Sequence, residues 1–254
     1  MRDRELGLFQ HLAELRRRLL ISVVALLIGS GVAFAFFRQI IRWLVRPAQE
    51  LSGGAASLIF TEVTEMLATS VHVSLVVGLV LASPVILYQV VMFVSPALTG
   101  KERRYLLAFL PAVLLAFAAG VAFGYFVLAP PALHFLLTFG ADVATPMIRI
   151  SNIVNLMVRL LFWLGMAFET PLVMYLLAQL GIVSARAFGR FRRYWVVIAF
   201  VLAAIITPTV DPLNQALVGL PLLGLYEVGV LLAWLAGRRR RRAAEAAPTV
   251  SRGV

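Results

Sequence analysis

The sequence contains no cysteine, a single lysine and only 12 acidic residues among 254. Without cysteine the chain has no disulfide, no thiolate nucleophile, no iron–sulfur cluster and no cysteine-ligated zinc. Charged residues make up 14% of the chain, whereas soluble domains carry about 25%. This composition excludes a soluble globular enzyme.

Signatures of common catalytic and cofactor sites are also missing. The sequence has no HExxH, no Walker A loop and no GxGxxG. Its three histidines, His11, His72 and His134, lie in different regions of the chain. We therefore predict a protein that is not an enzyme, with no catalytic residue, no bound metal and no cofactor.

Apolar residues are abundant, at 61% of the chain with a mean hydropathy of +0.94. They cluster in long stretches bounded by charged residues, glycine or proline, as expected for membrane helices of roughly 20 residues. An alternation of polar and apolar residues is absent, which disfavours a β-barrel. We predict an all-α integral membrane protein. Its six spans lie at about 19–37, 70–95, 105–128, 153–179, 194–210 and 213–236.

Basic residues predict the orientation of these spans. With a cytoplasmic N-terminus, 18 of the 23 basic residues lie on the cytoplasmic side and five on the outer side. This is the excess that the positive-inside rule requires, so both termini are predicted to be cytoplasmic. The net charge of +11 is interpreted as this topology signal and not as affinity for nucleic acid. Residues 1–236 form the predicted membrane domain, and residues 237–254 a disordered basic cytoplasmic tail.

The predicted outer segments are about 38–69 and 129–152. Within the first, Leu58 to Leu67 has the pattern of a short amphipathic helix, and a partly ordered loop is an equally good interpretation. The fifth span is short, because the apolar run from Trp195 to Thr207 covers roughly 20 Å against a hydrocarbon core of about 30 Å.

The N-terminal segment reads as an amphipathic helix with leucines on one face and His11, Glu14 and Arg18 on the other. Glu14 and Arg18 are spaced to form an i, i+4 ion pair on a cytoplasmic anchor helix. Alternatively, Glu14 offers its carboxylate to a cationic partner. The spacing alone favours the first interpretation.

Two further acids have unusual positions. Thr99 and Glu102 have capping-box spacing before the third span, and a capping glutamate keeps one oxygen free for a guanidinium. Glu169 lies near the middle of the fourth span, where a carboxylate costs about 2.5–3.5 kcal/mol. It is either a neutral side chain bonded to a carbonyl freed by Pro171 or a functional group in a wet cavity. We favour function, with Glu227 in the sixth span as a weaker candidate.

Together these segments resemble one family, the TatC subunits of the twin-arginine protein translocase. The N-terminal signature is HLAELRRRL at 11–19, and the second comprises SPVILYQ at 83–89, SPAL at 95–98 and KERR at 101–104. The later signatures are FETP at 168–171, Thr207-Pro208 with Asp211 and Gln215, and YEVG at 226–229. The resemblance extends to about residue 236, and its combined spacing is highly specific.

The resemblance implies a glove-shaped six-helix bundle whose concave face includes Glu169. It implies that Glu14 and Glu102, with Arg16 in the same signature as Glu14, bind paired-arginine signal peptides of folded cargo at the cytoplasmic face. Gln215 and Asp211 would contact single-span TatA and TatB partners in an oligomeric complex of the bacterial cytoplasmic membrane, among membrane lipids. Thr209 and Val210 precede Asp211 where the family has a tighter turn, which weakens the role of Asp211.

A secondary transporter with a midplane Glu169 site is the alternative, because it also explains six spans with proline-interrupted helices. Transporters of that kind carry internal repeats. Residues 19–128 and 153–236 show no convincing repeat.

Overall fold

The computed structural model describes residues 2–51, 58–94, 100–139, 147–207 and 212–245. Within these ranges the chain is almost entirely helical, which confirms the predicted all-α fold. The helices are α1 (Arg2–Ala35), α2 (Phe37–Leu51), α3 (Glu65–Val94), α4 (Gly100–Phe123), α5 (Ala129–Thr138), α6 (Ile150–Phe168), α7 (Thr170–Leu180), α8 (Ala185–Ile206) and α9 (Pro212–Glu245). Two short strands, β1 (Leu58–Ile59) and β2 (Ile148–Arg149), pair in parallel.

Five helical segments are long and apolar enough to cross a membrane: Leu12–Ala35, Glu65–Val90, Phe109–Thr138, Ile150–Leu180 and Pro212–Arg238. The remaining predicted span, the fifth, lies on α8. Arginines occupy the first half of α8, and its apolar part ends with the helix at Ile206. The chain is thus a multi-pass membrane protein whose α8 is short in apolar length, as the sequence predicted.

The helix that contains the third predicted span does not stop at residue 128. A π-helical turn, Gly124–Leu128, leads from α4 directly into α5. Pro130 and Pro131 lie in the first turn of α5, where a missing N–H costs no hydrogen bond. Residues 129–138, which the sequence assigned to the second outer segment, are thus helical, and the position of the outer end of this span stays a prediction.

The first outer segment also differs from expectation. Helix α2 fills its first part and buries the face formed by Ile41, Leu44, Val45, Pro47 and Ala48. An amphipathic helix over 58–67 is wrong, since Leu58 and Ile59 form β1 and helix α3 begins only at Glu65. Pairing with β2, about 90 residues further along the chain, overrides the local helical pattern.

The chain divides into two compact units, residues 1–162 and 163–254. In the first unit, α1 packs along α3 through glycines. A side chain at Gly29 would meet the carbonyl oxygen of Gly78 at 2.6 Å, and one at Gly78 would clash with Ser30. Small residues allow this close approach of two helix backbones. Exposed leucines and isoleucines such as Leu27 and Ile28, each 63% exposed, suit a surface that faces lipid.

A polar network ties the outer segments of the first unit together. Its centre is Glu65, whose side chain is only 6% exposed. Glu65 accepts hydrogen bonds from the Ser151 hydroxyl at 2.5 Å and from the Thr61 backbone N–H at 2.8 Å. Arg149 adds a guanidinium 3.6 Å from the Glu65 carboxylate and a 3.0 Å ion pair to Glu62. The network fixes the start of α3 against the start of α6.

We expect Glu65→Ala to destabilise the protein by about 3 kcal/mol, because it removes the buried carboxylate that joins Thr61, Arg149 and Ser151. Thermal unfolding of the purified protein in detergent measures this. Glu62→Ala is the matched control, since the Glu62 side chain is 68% exposed and its ion pair contributes less than about 1 kcal/mol. Equal melting temperatures for the two variants would contradict a structural role for Glu65.

In the second unit, α9 packs against both α7 and α8. A side chain at Gly229 would clash with the sulfur of Met174 and press on Pro171, so glycine sets the α7–α9 distance. Tyr226 stacks on Trp195 of α8 at 4.8 Å between ring centroids. Helix α9 runs on to Glu245, so the predicted tail begins as a continuation of this helix. Residues 246–254 lie outside the described part of the chain.

Candidate functional site

Glu14 lies on α1 at the edge of a polar cluster with Arg18 and Gln89. Arg18 donates from Nε to Glu14 Oε1 at 3.0 Å and from Nη2 to the same oxygen at 2.5 Å. A third guanidinium nitrogen, Nη1, donates to Gln89 Oε1 on α3 at 3.2 Å. The i, i+4 ion pair predicted from spacing is confirmed. Gln89 is part of the second sequence signature, but its proximity to Glu14 was not predicted.

A cavity of about 590 Å³ opens beside this cluster. It is lined by Ala13, Glu14, Arg17, Arg18, Ile21 and Gln89. Both hydrogen bonds from Arg18 end on one carboxylate oxygen, so Glu14 Oε2 accepts none from the described residues. The cavity therefore offers a free carboxylate oxygen, but two arginines against one glutamate leave its lining with a net positive charge.

The other predicted binding residues are placed only in part. Arg16 is exposed and does not line the cavity. Glu102 is the third residue of α4, at the helix start that capping-box spacing predicts. Its side chain lies outside the described side chains.

Glu169 occupies the single-residue break between α6 and α7. Its backbone N–H donates to Met166 O at 3.2 Å, and its carbonyl accepts from Val173 N–H at 2.9 Å. The side chain is half-buried and forms no hydrogen bond with the described residues. The described residues therefore include no hydrogen bond from the Glu169 side chain to a carbonyl freed by Pro171. Glu227, by contrast, pairs with Arg192 at 2.6 Å.

Gln215 and Asp211 were predicted to contact partner subunits. Gln215 is half-buried on α9 and donates from Nε2 to the Phe200 carbonyl of α8 at 2.9 Å. Its amide thus already joins two helices of the same unit. Asp211 lies outside the described residues.

Sequence reasoning missed a polar stripe on α6. Asn152, Asn155 and Arg159 are exposed at i, i+3 and i+7, so they share one helix face. His72 of α3 lies 2.9 Å from Asn155 Oδ1 through its Nδ1. Arg159 is the tenth residue of a 31-residue apolar segment, and it forms no ion pair with the described residues. The helical period of these three residues was the available signal.

No group of three or more histidines, aspartates and glutamates able to hold a metal ion occurs among the residues that the structure describes. The acids near the ends of the spans are instead bound to arginines and hydroxyls.

Comparison with known proteins identifies the family. The model of the family TatC, Sec-independent protein translocase protein, matches residues 10–221. The chain belongs to the TatC family. The matched range covers all the signatures found in the sequence apart from the segment at 226–229.

Individual relatives agree with this assignment. The Sec-independent protein translocase protein TatC of Carboxydothermus hydrogenoformans is 38% identical over 233 residues, covering 92% of this chain and 95% of the relative. The protein of the same name from Aquifex aeolicus is 41% identical over 236 residues, covering 92% and 97%. A crystal structure of the twin arginine translocase receptor TatC has a TM-score of 0.80 and 41% identity, covering 89% of this chain and 99% of that one.

Membership in the TatC family decides between the classes considered from the sequence. TatC proteins are translocase components and not enzymes, so the prediction of a non-enzymatic protein is confirmed. The secondary-transporter alternative finds no support among these relatives. The structural similarity also confirms the fold class, since it extends over most of both chains.

Proposed function

We propose that this TatC-family chain is the receptor subunit of a twin-arginine translocase. It recognises the paired arginines of signal peptides on folded cargo at the cytoplasmic face, and it nucleates assembly with single-span TatA- and TatB-type subunits. The observation that carries the proposal is the free Glu14 oxygen beside a cavity of about 590 Å³. A guanidinium matches a carboxylate through two parallel hydrogen bonds, which an ammonium cannot reproduce.

Glu14 alone is a poor receptor for two arginines. Arg17 and Arg18 line the same cavity, and Arg18 already occupies one oxygen of Glu14. A second carboxylate is needed to neutralise the net positive charge that Arg17 and Arg18 leave beside Glu14. Glu102 is the acid best suited to supply it, because it starts α4 on the same predicted side of the membrane as Glu14. We therefore propose that Glu14 and Glu102 together bind the two arginines of the signal peptide.

Membrane-embedded polar groups support function in a complex. Arg159 is exposed about 14 Å along α6 from its start, at a rise of 1.5 Å per residue. Exposure of arginine to lipid tails costs about 2.5–3.5 kcal/mol, and half-buried Glu169 carries a similar cost. Both costs fall when partner subunits cover these groups. We propose contacts with single-span partners there and at the α8–α9 end near Gln215 and Asp211.

The proposed location is the bacterial cytoplasmic membrane with both termini in the cytoplasm. The chain has no cysteine, so single-cysteine labelling has no background. We expect Val63→Cys, 99% exposed, and Phe139→Cys, 78% exposed, to react with a membrane-impermeant maleimide in intact cells. Ile182→Cys, 67% exposed in the α7–α8 turn, should react only after the membrane is opened. Labelling of Ile182→Cys in sealed cells would overturn the topology.

The receptor function is tested by photo-crosslinking. A crosslinking amino acid at Gln89, which lines the cavity beside Glu14, should capture a twin-arginine signal peptide in membranes. The control peptide has both arginines replaced by lysine, which retains the charge and removes the bidentate geometry. Equal capture of the two peptides would contradict recognition through paired carboxylate–guanidinium contacts.

A further inference from the structure

We propose that the second unit binds an anionic phospholipid through a basic cavity at the α7–α8 turn. The basic cavity has a volume of about 530 Å³, and its lining includes Ala178, Gly181, Arg186, Ala233, Trp234 and Arg238. The phosphate lies between the guanidinium groups of Arg186 and Arg238. This site is separate from the signal-peptide cluster of the first unit and does not depend on the receptor function.

The shape of the basic cavity follows from small residues. Ala178 of α7 packs against Ala233 and Ala236 of α9 in a buried cluster, so the two helices approach closely at its floor. Gly181 ends α7 with a φ of 76°, in the left-handed region that glycine adopts without strain. The chain therefore turns sharply into α8 and leaves an open space above the alanines. A lining of alanine, glycine and valine suits glycerol and the upper part of an acyl chain.

The charge of the basic cavity is not balanced by this chain. Arg186 is exposed and has no ion-pair partner among the described residues. Arg238 lies over the Trp234 ring, with 4.0 Å between its guanidinium carbon and the ring centroid. The neighbouring Arg192 differs, because Glu227 neutralises it at 2.6 Å. Two cations from different helices, α8 and α9, line one cavity without a carboxylate, and an external anion would balance their charge.

The depth of the basic cavity matches the headgroup layer. The apolar segment of α9 ends at Arg238, and Trp234 lies one turn before that end. Tryptophan and arginine at the end of a span are typical of the membrane interface. Basic pockets between helices at this level are a known means of binding anionic headgroups. A phosphodiester in the same leaflet lies at the level of Arg238.

A second cavity of about 530 Å³ adjoins the first and shares Ala185, Arg186 and Trp234 with it. Its other lining residues are Arg192, Glu227, Val230 and Leu231. Val230 and Leu231 of α9 give an acyl chain an apolar surface next to the neutralised Arg192–Glu227 ion pair. Inorganic phosphate has no apolar group that could contact this surface, so the observations favour a lipid over a soluble anion.

Native mass spectrometry of the full chain tests this proposal. The probes are phosphatidylglycerol and phosphatidylcholine with identical acyl chains, and inorganic phosphate as a soluble competitor. We expect phosphatidylglycerol to bind about tenfold more tightly than phosphatidylcholine, a ratio that corresponds to about 1.4 kcal/mol. The double variant Arg186→Gln/Arg238→Gln should lose this preference. Arg190→Gln/Arg193→Gln, which removes the same charge from the exposed surface of α8 outside both cavities, should retain it.

Thermal unfolding in nanodiscs gives a second measurement that does not depend on gas-phase behaviour. Phosphatidylglycerol should raise the melting temperature of the unmodified chain and of the control double variant, but not of Arg186→Gln/Arg238→Gln. Equal binding of the two lipids would overturn the proposal. If both double variants lose the preference for phosphatidylglycerol equally, the preference comes from diffuse surface charge and the proposal fails. If millimolar inorganic phosphate displaces phosphatidylglycerol, the cavity is a site for a soluble anion and not for a lipid.

Discussion

Glu102→Lys is expected to abolish export of a twin-arginine reporter while the protein remains folded and abundant. Reversing one charge of a receptor that reads two arginines removes a carboxylate–guanidinium pair and adds repulsion. Losing such a pair costs about 2–5 kcal/mol, equivalent to a 30-fold to several-thousand-fold loss of affinity. Crosslinking of the signal peptide at Gln89 should fall with export. Both are measured together with the amount of protein in the membrane.

The competing explanation is that Glu102 only caps α4. Glutamine replaces glutamate in a capping box, so Glu102→Gln keeps the cap and removes the charge. We expect Glu102→Gln to impair crosslinking strongly with no loss of thermal stability. Normal crosslinking in Glu102→Gln, or loss of export explained by loss of protein, would reduce Glu102 to a helix cap.

Glu14 should have a smaller effect than Glu102, because Arg18 already neutralises part of its charge. Glu14→Gln is expected to weaken crosslinking less than Glu102→Gln, and Arg18→Gln should preserve or strengthen it by releasing Glu14 Oε1. A stronger defect in Arg18→Gln than in Glu14→Gln would mean that Arg18 positions Glu14 and does not compete with the signal peptide.

Features encoded by local periodicity were predictable from the sequence, and features made by distant contacts were not. The Glu14–Arg18 pair follows from an i, i+4 spacing. Its link to Gln89 joins residues 71 positions apart, and no local pattern encodes that contact. The same reason explains β1, whose two residues are held by β2 and not by their own helical pattern.

The sequence predicted a third span that ends at residue 128, whereas the helix continues through Pro130 and Pro131 into α5, because proline fits the first turn of a helix. Pro47 is likewise accommodated in α2, where it is buried on the apolar face of the helix. Sequence alone gives the position of a proline but not whether the helix has just begun there.

Substitution of Glu169 is the second change that we expect to reduce export strongly. The affected step should follow binding of the signal peptide. The side chain is half-buried in a span and has no hydrogen-bond partner among the described residues. It forms no salt bridge with the described residues, and Arg192 of the same unit pairs with Glu227 instead. A carboxyl group in such a position is hydrated, protonated or bonded by a partner subunit.

Two substitutions separate these states of Glu169. Glu169→Gln keeps the shape and most hydrogen-bonding capacity but removes ionisation, and Glu169→Ala removes both. If ionisation is needed, both variants should lose most export while signal-peptide crosslinking at Gln89 persists. If only a hydrogen bond to a partner is needed, glutamine should export at a near-normal rate and alanine should be defective.

The break between α6 and α7 allows a structural role to be tested separately. The backbone of Glu169 already completes the turn through Met166 and Val173, so neither substitution removes these hydrogen bonds. Both variants should therefore unfold at the temperature of the unmodified protein. A drop in melting temperature that parallels the loss of export would assign Glu169 to helix packing. Normal export by both variants would show that Glu169 has no role in transport.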